Sequence, residues 1–280
     1  MLETKFDCLN GMHWSMGTVD FEIPYIGDTE KATYIFNQNL VDITWNCMRT
    51  LEQNPSTLPQ TRTILNGKSV DGLDVTDLLQ VKNYGDGARE MVRLLRSGEF
   101  KVNIETASSL HRFVGYKDAL EWGTLRNLNT AIHDVEYIPP TYEKLPILAE
   151  RWFDFLNTEV KDPKERAIAV FLFMSRTQFF FDANKRTASL MMNGCLMLNG
   201  YWPITVLNRE SVEFHEKLER FYETGDADEM MRFFAHIIKK QYNMKTLTDE
   251  KLTIVGAAGM ISSNMAQTAI MMGLTSNICL

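Results

Sequence analysis

Nine residues between Gln178 and Arg186 place several chemically capable side chains on one short stretch. They read Gln-Phe-Phe-Phe-Asp-Ala-Asn-Lys-Arg. The residues before them, 162–177, and those after them, 187–198, both predict buried helices, because apolar residues crowd each segment. A short polar loop between two core helices is held at both ends, so its polar side chains can keep a defined arrangement.

The charges of this loop predict an anion site. Asn184, Lys185 and Arg186 fall at the start of the second helix, where free backbone N–H groups and the positive end of the helix dipole collect. Asp182 lies one turn earlier and leaves two alternatives open. Its carboxylate can cap the helix, or it can hold a hard cation such as Mg²⁺. The simpler interpretation of the whole loop is a capped helix start with solvated charges.

The loop resembles the motif of the Fic/Doc (Fido) family, His-x-Phe-x-(Asp/Glu)-(Ala/Gly)-Asn-(Gly/Lys)-Arg. The resemblance implies a mainly α helical bundle with a small β-hairpin flap. It also implies transfer of AMP or phosphate from ATP, with Mg²⁺, to a hydroxyl of a target protein. Under it, Asp182 would be a metal ligand, and Asp182, Asn184 and Arg186 would be catalytic. The nucleotide-binding residues it implies are Phe180, Ala183, Asn184, Lys185 and Arg186.

Two positions depart from the family pattern. Gln178 stands where the family has the His that deprotonates the target hydroxyl, and an amide has no proton that titrates near neutral pH. The change predicts weak or absent transfer. Ser189 stands where the family often has a second Arg, which favours the phosphate-transferring Doc branch. Among the histidines, His133 is the best-placed substitute base, whereas His111 and His236 are expected to pack or to lie on the surface.

Two further stretches resemble family elements. Residues 123–140, which contain Val135-Glu-Tyr-Ile-Pro-Pro, predict a short hairpin that resembles the family's flap. The resemblance implies that Val135, Tyr137 and Ile138 bind a segment of the target protein by strand addition. Glu52 lies in a run that resembles the family's inhibitory helix, with Met48 and Gln53 as departures. Its family partner is the second Arg, which is missing here, so we expect little inhibition from it.

The rest of the chain predicts a mainly α protein in three regions. These are an arm over 1–28, a helical domain over 29–247, and a tail over 248–280 that carries no charge from residue 252. The 280 residues are 45% hydrophobic and 23% charged, as in ordinary globular proteins. Besides the two central helices, the predicted helices are one long helix from Thr29 to about Asn54, then 57–66, 75–95, 104–114, 143–156, 210–221 and 227–238.

Composition narrows the partners and the compartment. A net charge of −7 argues against a general nucleic-acid surface, but it leaves room for one nucleotide pocket. The four cysteines are scattered, so we expect no zinc site, no disulfide framework and a cytoplasmic location. No signal peptide or membrane span is predicted before residue 252. The Met-rich tail predicts a packed helix, and a homodimer contact is left open because such faces adapt to partners.

Three functions remain open. The first is a Fic/Doc-type transferase, weakened by Gln178. The second is a non-catalytic relative that binds a nucleotide or a protein and acts as a sensor or antagonist. The third is a helical interaction module with a vestigial loop. Asp182, Asn184 and Arg186 favour the first two over the third, because a purely structural loop does not need a set that could hold both metal and phosphate.

Overall fold

The computed structural model describes residues 9–242, 252–253 and 278–279. Within these residues the chain is mainly helical, which confirms the predicted fold class. The chain divides into two compact units, residues 1–235 and residues 236–280. In the second unit, β1 (Leu252–Thr253) pairs in parallel with β2 (Ile278–Cys279). The helices are α1 Thr29–Gln38, α2 Leu40–Glu52, α3 Leu58–Leu65, α4 Val75–Arg96, α5 Ile104–Val114, α6 Leu145–Thr158, α7 Pro163–Thr177, α8 Asn184–Leu198, α9 Ser211–Thr224 and α10 Asp228–Tyr242.

Helices α7 and α8 form the centre of the first unit. They pack along each other, and α4 and α5 pack against α8. Nearly every residue of α7 from Ala167 onward and of α8 from Arg186 to Met197 is buried. A helix that is covered on all sides belongs to the middle of a core. At its start, α7 has Pro163 in the first turn and the side chain of Asp162 as cap, accepting from the Lys164 N–H.

The predicted long helix over Thr29 to about Asn54 is wrong, because it is broken at Asn39. The backbone N–H of Asn39 donates to the carbonyls of both Ile35 and Phe36, at 3.1 Å each, and its Nδ2 donates to the Ile35 carbonyl at 2.8 Å. An Asn side chain that bonds the local backbone competes with helix hydrogen bonds. The apolar periodicity continues across the break, so the pattern alone does not reveal it. A 3₁₀ turn, Tyr142–Lys144, precedes α6.

The predicted hairpin over residues 123–140 is also wrong, since this segment contains turns and extended chain but no strand. Side chains bind the backbone groups that a hairpin would have paired. The Glu136 N–H donates to the Glu223 carboxylate at 2.5 Å, and the Leu128 and Pro140 carbonyls accept from Arg126. The β-branched and aromatic residues that suggested strands are therefore held in an irregular loop.

Residues 9–28 of the arm are irregular and bond to several helices. Trp14 Nε1 donates to Glu165 of α7 at 2.9 Å, and the Ser15 N–H donates to Asp228 of α10 at 2.7 Å. The predicted tail, 248–280, lies outside the described residues except for its two short strands. In the part of the chain that is described, no helix is long and apolar enough to cross a membrane.

Candidate functional site

Gln178 forms the turn that ends α7. Its backbone is left-handed, with φ 53° and ψ 62°, and its N–H donates to the Met174 carbonyl. The side-chain amide is engaged on both sides: Nε2 donates to the Ser175 carbonyl at 2.6 Å, and Oε1 accepts from Asn184 Nδ2 at 2.9 Å. The side chain is thus held in one place, but as a neutral amide it brings no titrating proton.

Asn184 closes the loop on itself. Its Oδ1 accepts from the Phe180 N–H at 2.9 Å, and its Nδ2 donates to the Phe180 carbonyl at 2.8 Å as well as to Gln178. With the side chain buried, these bonds use most of its hydrogen-bonding capacity. In this structure Asn184 shapes the loop, and its predicted contact with a nucleotide would have to come in addition.

The start of α8 lacks a side-chain cap. The N-cap position is Ala183, which is left-handed with φ 57° and forms no capping bond. Asp182 does not cap the helix in the usual way, because its Oδ1 accepts from the N–H of the adjacent Ala183 and from Arg186 Nη2. Its side chain is 58% exposed. The N–H groups of the first turn of α8 therefore receive no side-chain acceptor from the cap position.

Arg186 is fully buried among three carboxylates. Its Nη1 donates to Asp118, its Nη2 lies 3.2 Å from Asp182, and its Nε lies 3.2 Å from Glu52 Oε1. The Nε–H is not directed at Glu52, since no hydrogen bond satisfies it, so this third contact is an attraction of charges alone. Burial by itself would lower the pKa of Arg186, but the charges of Glu52, Asp118 and Asp182 together raise it.

The expectation that Glu52 lacks a partner is corrected by this geometry. Ser189 indeed offers no charge: its hydroxyl lies 3.2 Å from the Tyr84 hydroxyl and 3.8 Å from Cys47 Sγ, buried in the core. Glu52 instead reaches the motif arginine, Arg186, from the end of α2. Its role as an inhibitory residue stays a prediction.

His111, a residue of α5, fixes the loop over 178–186 through one hydrogen bond and a ring contact. Its Nδ1 accepts from the Gly123 N–H at 3.0 Å, so Nε2 carries the proton and donates to the Asp182 carbonyl, also at 3.0 Å. The ring stacks on Phe180, with centroids 3.9 Å apart. Burial lowers the pKa of His111 to about 4, so the ring is neutral at physiological pH. Because both nitrogens are bonded, His111 positions the loop and is not a free base.

The three predicted flap residues, Val135, Tyr137 and Ile138, differ in how firmly their side chains are fixed. Val135 is half-buried, and the side chain of Ile138 is exposed, at 78%. Tyr137 is fixed, because its hydroxyl accepts from Asn10 Nδ2 at 2.7 Å and Arg176 lies 3.8 Å from its ring centroid. His133, the predicted substitute base, is exposed, and the hydrogen bonds of the loop over 178–186 do not involve it.

Three residues near the loop were missed by sequence reasoning: His111, Asp118 and Arg126. A signal existed only for His111, which shares the apolar face of α5 with Leu110 and Val114 and must therefore find polar partners when buried. Asp118 and Arg126 come from irregular chain after α5, where no periodicity shows which side chains face inward.

Comparisons with known proteins agree with this fold and loop. Residues 101–196 match the model of the Fic/DOC family. "Protein adenylyltransferase Fic" from Drosophila willistoni is 28% identical over 199 residues, covering 69% of this chain and 39% of that protein. The Drosophila sechellia protein of the same name is 28% identical over 248 residues, covering 87% of this chain and 47% of that protein. The chain thus spans less than half the length of these relatives.

Solved structures show the same fold. Fic-1 from C. elegans superimposes with a TM-score of 0.65 at 21% identity, covering 86% of this chain and 69% of that one. A Fic family protein from Desulfovibrio desulfuricans gives a TM-score of 0.61 at 18% identity, covering 86% and 81%. The described helices therefore have the fold of these Fic proteins. Residues 101–196 are therefore similar to the Fic/DOC family in sequence, and most of the described chain is similar to Fic proteins in fold.

Proposed function

We propose that the chain is a Fic-type transferase with a low natural rate. It would move AMP from ATP to a hydroxyl of a target protein with release of pyrophosphate, or phosphate with release of ADP as in the Doc branch. The match of residues 101–196 to the Fic/DOC family model and the adenylyltransferase names of the similar proteins support the transfer. The low rate is proposed because the motif resemblance puts Gln178 at the family's His position, and its amide is held by Asn184 and the Ser175 carbonyl.

The nucleotide phosphates would bind beside Arg186 at the start of α8. The uncapped first turn offers backbone N–H groups and the positive end of the helix dipole. Arg186 adds its Nε–H, which has no hydrogen-bond partner, while Nη1 and Nη2 donate to Asp118 and Asp182. Because Glu52 contacts Arg186 by charge alone, a phosphate could replace it there without breaking a hydrogen bond.

Fic adenylyltransferases use ATP and a divalent metal, and the residues present fit such a metal only together with the nucleotide. Within the described residues, no group of three or more His, Cys, Asp or Glu side chains could hold a metal. Asp182 provides one exposed carboxylate, and Mg²⁺ needs only one or two from the protein when phosphate oxygens and water complete its shell. Bound there, the ion would neutralise phosphate charge.

The loop has no imidazole to accept the proton of the target hydroxyl. Gln178 does not titrate, and His111 already uses Nδ1 to accept from Gly123. Arg186 and the α8 N-terminus could still bind and orient the nucleotide, so we expect binding to persist where turnover is slow.

The test is incorporation of labelled ATP with Mg²⁺, in the purified protein and in a cell lysate, comparing wild type with Gln178→His. General-base assistance is worth about 10²–10⁴ in rate, so we expect labelling to rise by that order. Gln38→His, at an exposed glutamine, is the matched control and should leave labelling unchanged. If the wild-type protein is labelled as fast as the Gln178→His variant, Gln178 does not limit the rate of transfer. ATP binding without labelling in either would rule out transfer.

A further inference from the structure

Arg126 carries an arrangement that the transfer chemistry described above does not use. Each nitrogen of its guanidinium donates to a different main-chain carbonyl. Nε donates to Gln178 at 2.7 Å, Nη1 to Leu128 at 2.7 Å, and Nη2 to Pro140. Its own backbone N–H donates to the Phe179 carbonyl at 2.9 Å. One side chain therefore joins the turn at the end of α7 to two separated points of the loop that follows α5.

Arg126 acts through the fixed directions of its hydrogen bonds and not through ion pairs. The residue is only 2% exposed, and burial lowers its pKa. Among the described residues, no carboxylate lies within ion-pair distance of it. A buried cation is tolerated when its donors are satisfied, and a planar guanidinium fixes the directions of its bonds more strictly than an ammonium does. Arg126 thus holds three carbonyls in a set relation to one another.

Leu128 and Pro140 are the two ends of the segment 128–140. Inside it, Tyr137 is fixed by Asn10 and Arg176, while Ile138 projects from the surface. The segment contains no strand, so these side-chain contacts fix it in place of the backbone hydrogen bonds that would join the strands of a hairpin. Since the third carbonyl belongs to Gln178, the same guanidinium sets the separation between this segment and the reacting position.

We propose that Arg126 is a positioning residue, which holds the segment 128–140 at a fixed distance from residue 178 and so presents a target hydroxyl there. The presentation of a target hydroxyl rests on the proposed function. The structural part of the proposal stands separately, because the three carbonyl bonds predict a constrained segment whether or not transfer occurs.

The first experiment measures how tightly the segment is held. Glutamyl endopeptidase cleavage after Glu136 is followed by mass spectrometry in wild type, Arg126→Lys and Arg126→Gln. Cleavage tracks local opening, and we expect it to be about tenfold faster in both variants. Arg166→Lys is the matched control, since Arg166 donates from Nε and Nη2 to the Val160 carbonyl at the other end of α7. Melting curves verify that each variant is folded.

The second experiment tests positioning in the Gln178→His protein, with self-labelling by ATP as the probe. We expect Arg126→Lys to lower kcat about tenfold while KM for ATP changes less than about twofold, because the nucleotide contacts are left intact. A merely structural loss would lower labelling only in proportion to the unfolded fraction.

Equal cleavage and equal labelling in Arg126→Lys and Arg166→Lys would overturn the proposal. Absence of labelling in the Gln178→His protein itself would instead count against the proposed function. The cleavage comparison would still decide whether Arg126 holds the segment.

Discussion

Two buried arginines contact the central loop in opposite ways. Arg186 is surrounded by the carboxylates of Glu52, Asp118 and Asp182, so its environment holds more negative charge than it can balance. Arg126 donates only to neutral carbonyls in its three guanidinium hydrogen bonds. Both are almost inaccessible to solvent. Arg186 is thus held by ion pairs, whereas Arg126 fixes the backbone through the directions of its hydrogen bonds.

From this difference we expect Arg186 to be able to exchange one of its partners and Arg126 to keep all of its own. An excess of carboxylates means that Arg186 could give up Glu52 for a phosphate and remain paired with Asp118. The carbonyls around Arg126 belong to the main chain, so losing one moves the backbone. We therefore expect substitutions at Arg186 to act through electrostatics and those at Arg126 through the position of the segment 128–140.

The largest effect should come from Arg186→Met. Removing one partner from a buried charge cluster leaves uncompensated carboxylates, which costs about 3–5 kcal/mol. Of the three carbonyls that Arg126→Met leaves without their donor, only that of Pro140 is in a fully buried hydrogen bond, so the cost should be smaller, about 1–3 kcal/mol. Urea unfolding of both variants measures the difference.

A second substitution separates charge from packing in this comparison. Asp118→Asn should recover part of the loss in Arg186→Met, because it removes one of the stranded charges, and should recover nothing in Arg126→Met. A greater loss at Arg126 than at Arg186, or equal recovery in both, would break the distinction between the two arginines.

His111 is a neutral residue that positions the loop beside the charged cluster around Arg186. Burial lowers its pKa from 6.5 to about 4 in the folded protein; the charge of Arg186 lowers it too, while the bond to the Asp182 carbonyl opposes the shift. Between these values the unfolded chain binds a proton that the folded protein does not. The stabilisation is therefore complete above about pH 6.5 and is lost as pH falls toward 4, by about 3 kcal/mol.

Unfolding free energies measured at pH 7 and pH 4.5 test this. His111→Gln should flatten the dependence on pH relative to wild type. The exposed His133→Gln is the control and should keep the wild-type slope. Identical slopes in the two variants would show that His111 is not the titrating group.

The smallest effect should come from Glu52→Gln. If Glu52 competes with a phosphate for Arg186, removing its charge should tighten binding of ATP with Mg²⁺ about fivefold, or about 1 kcal/mol. Calorimetry measures this, with Glu99→Gln, an exposed partner of Arg93, as control. Equal affinities in wild type and Glu52→Gln would mean that Glu52 does not compete. No ATP binding in any variant would contradict the nucleotide site.

The helical class and the loop between Gln178 and Arg186 could both be predicted from the amino-acid sequence. Local patterns carried both, since apolar periodicity marks helices and the spacing of polar residues marks the loop. Two expectations failed where local patterns compete with side-chain bonds. Asn39 breaks a helix that the periodicity continues, and residues 123–140 form no hairpin.

The groups that surround the loop are set by contacts between distant parts of the chain. Glu52, His111, Asp118 and Arg126 reach it from different parts of the chain, separated from it by 52 or more positions in sequence. Such pairings depend on how α2 and α5 pack around α8 and on the path of irregular chain, which no local period encodes. The charge on Glu52 can be read in the sequence, but its partner Arg186 is determined by packing.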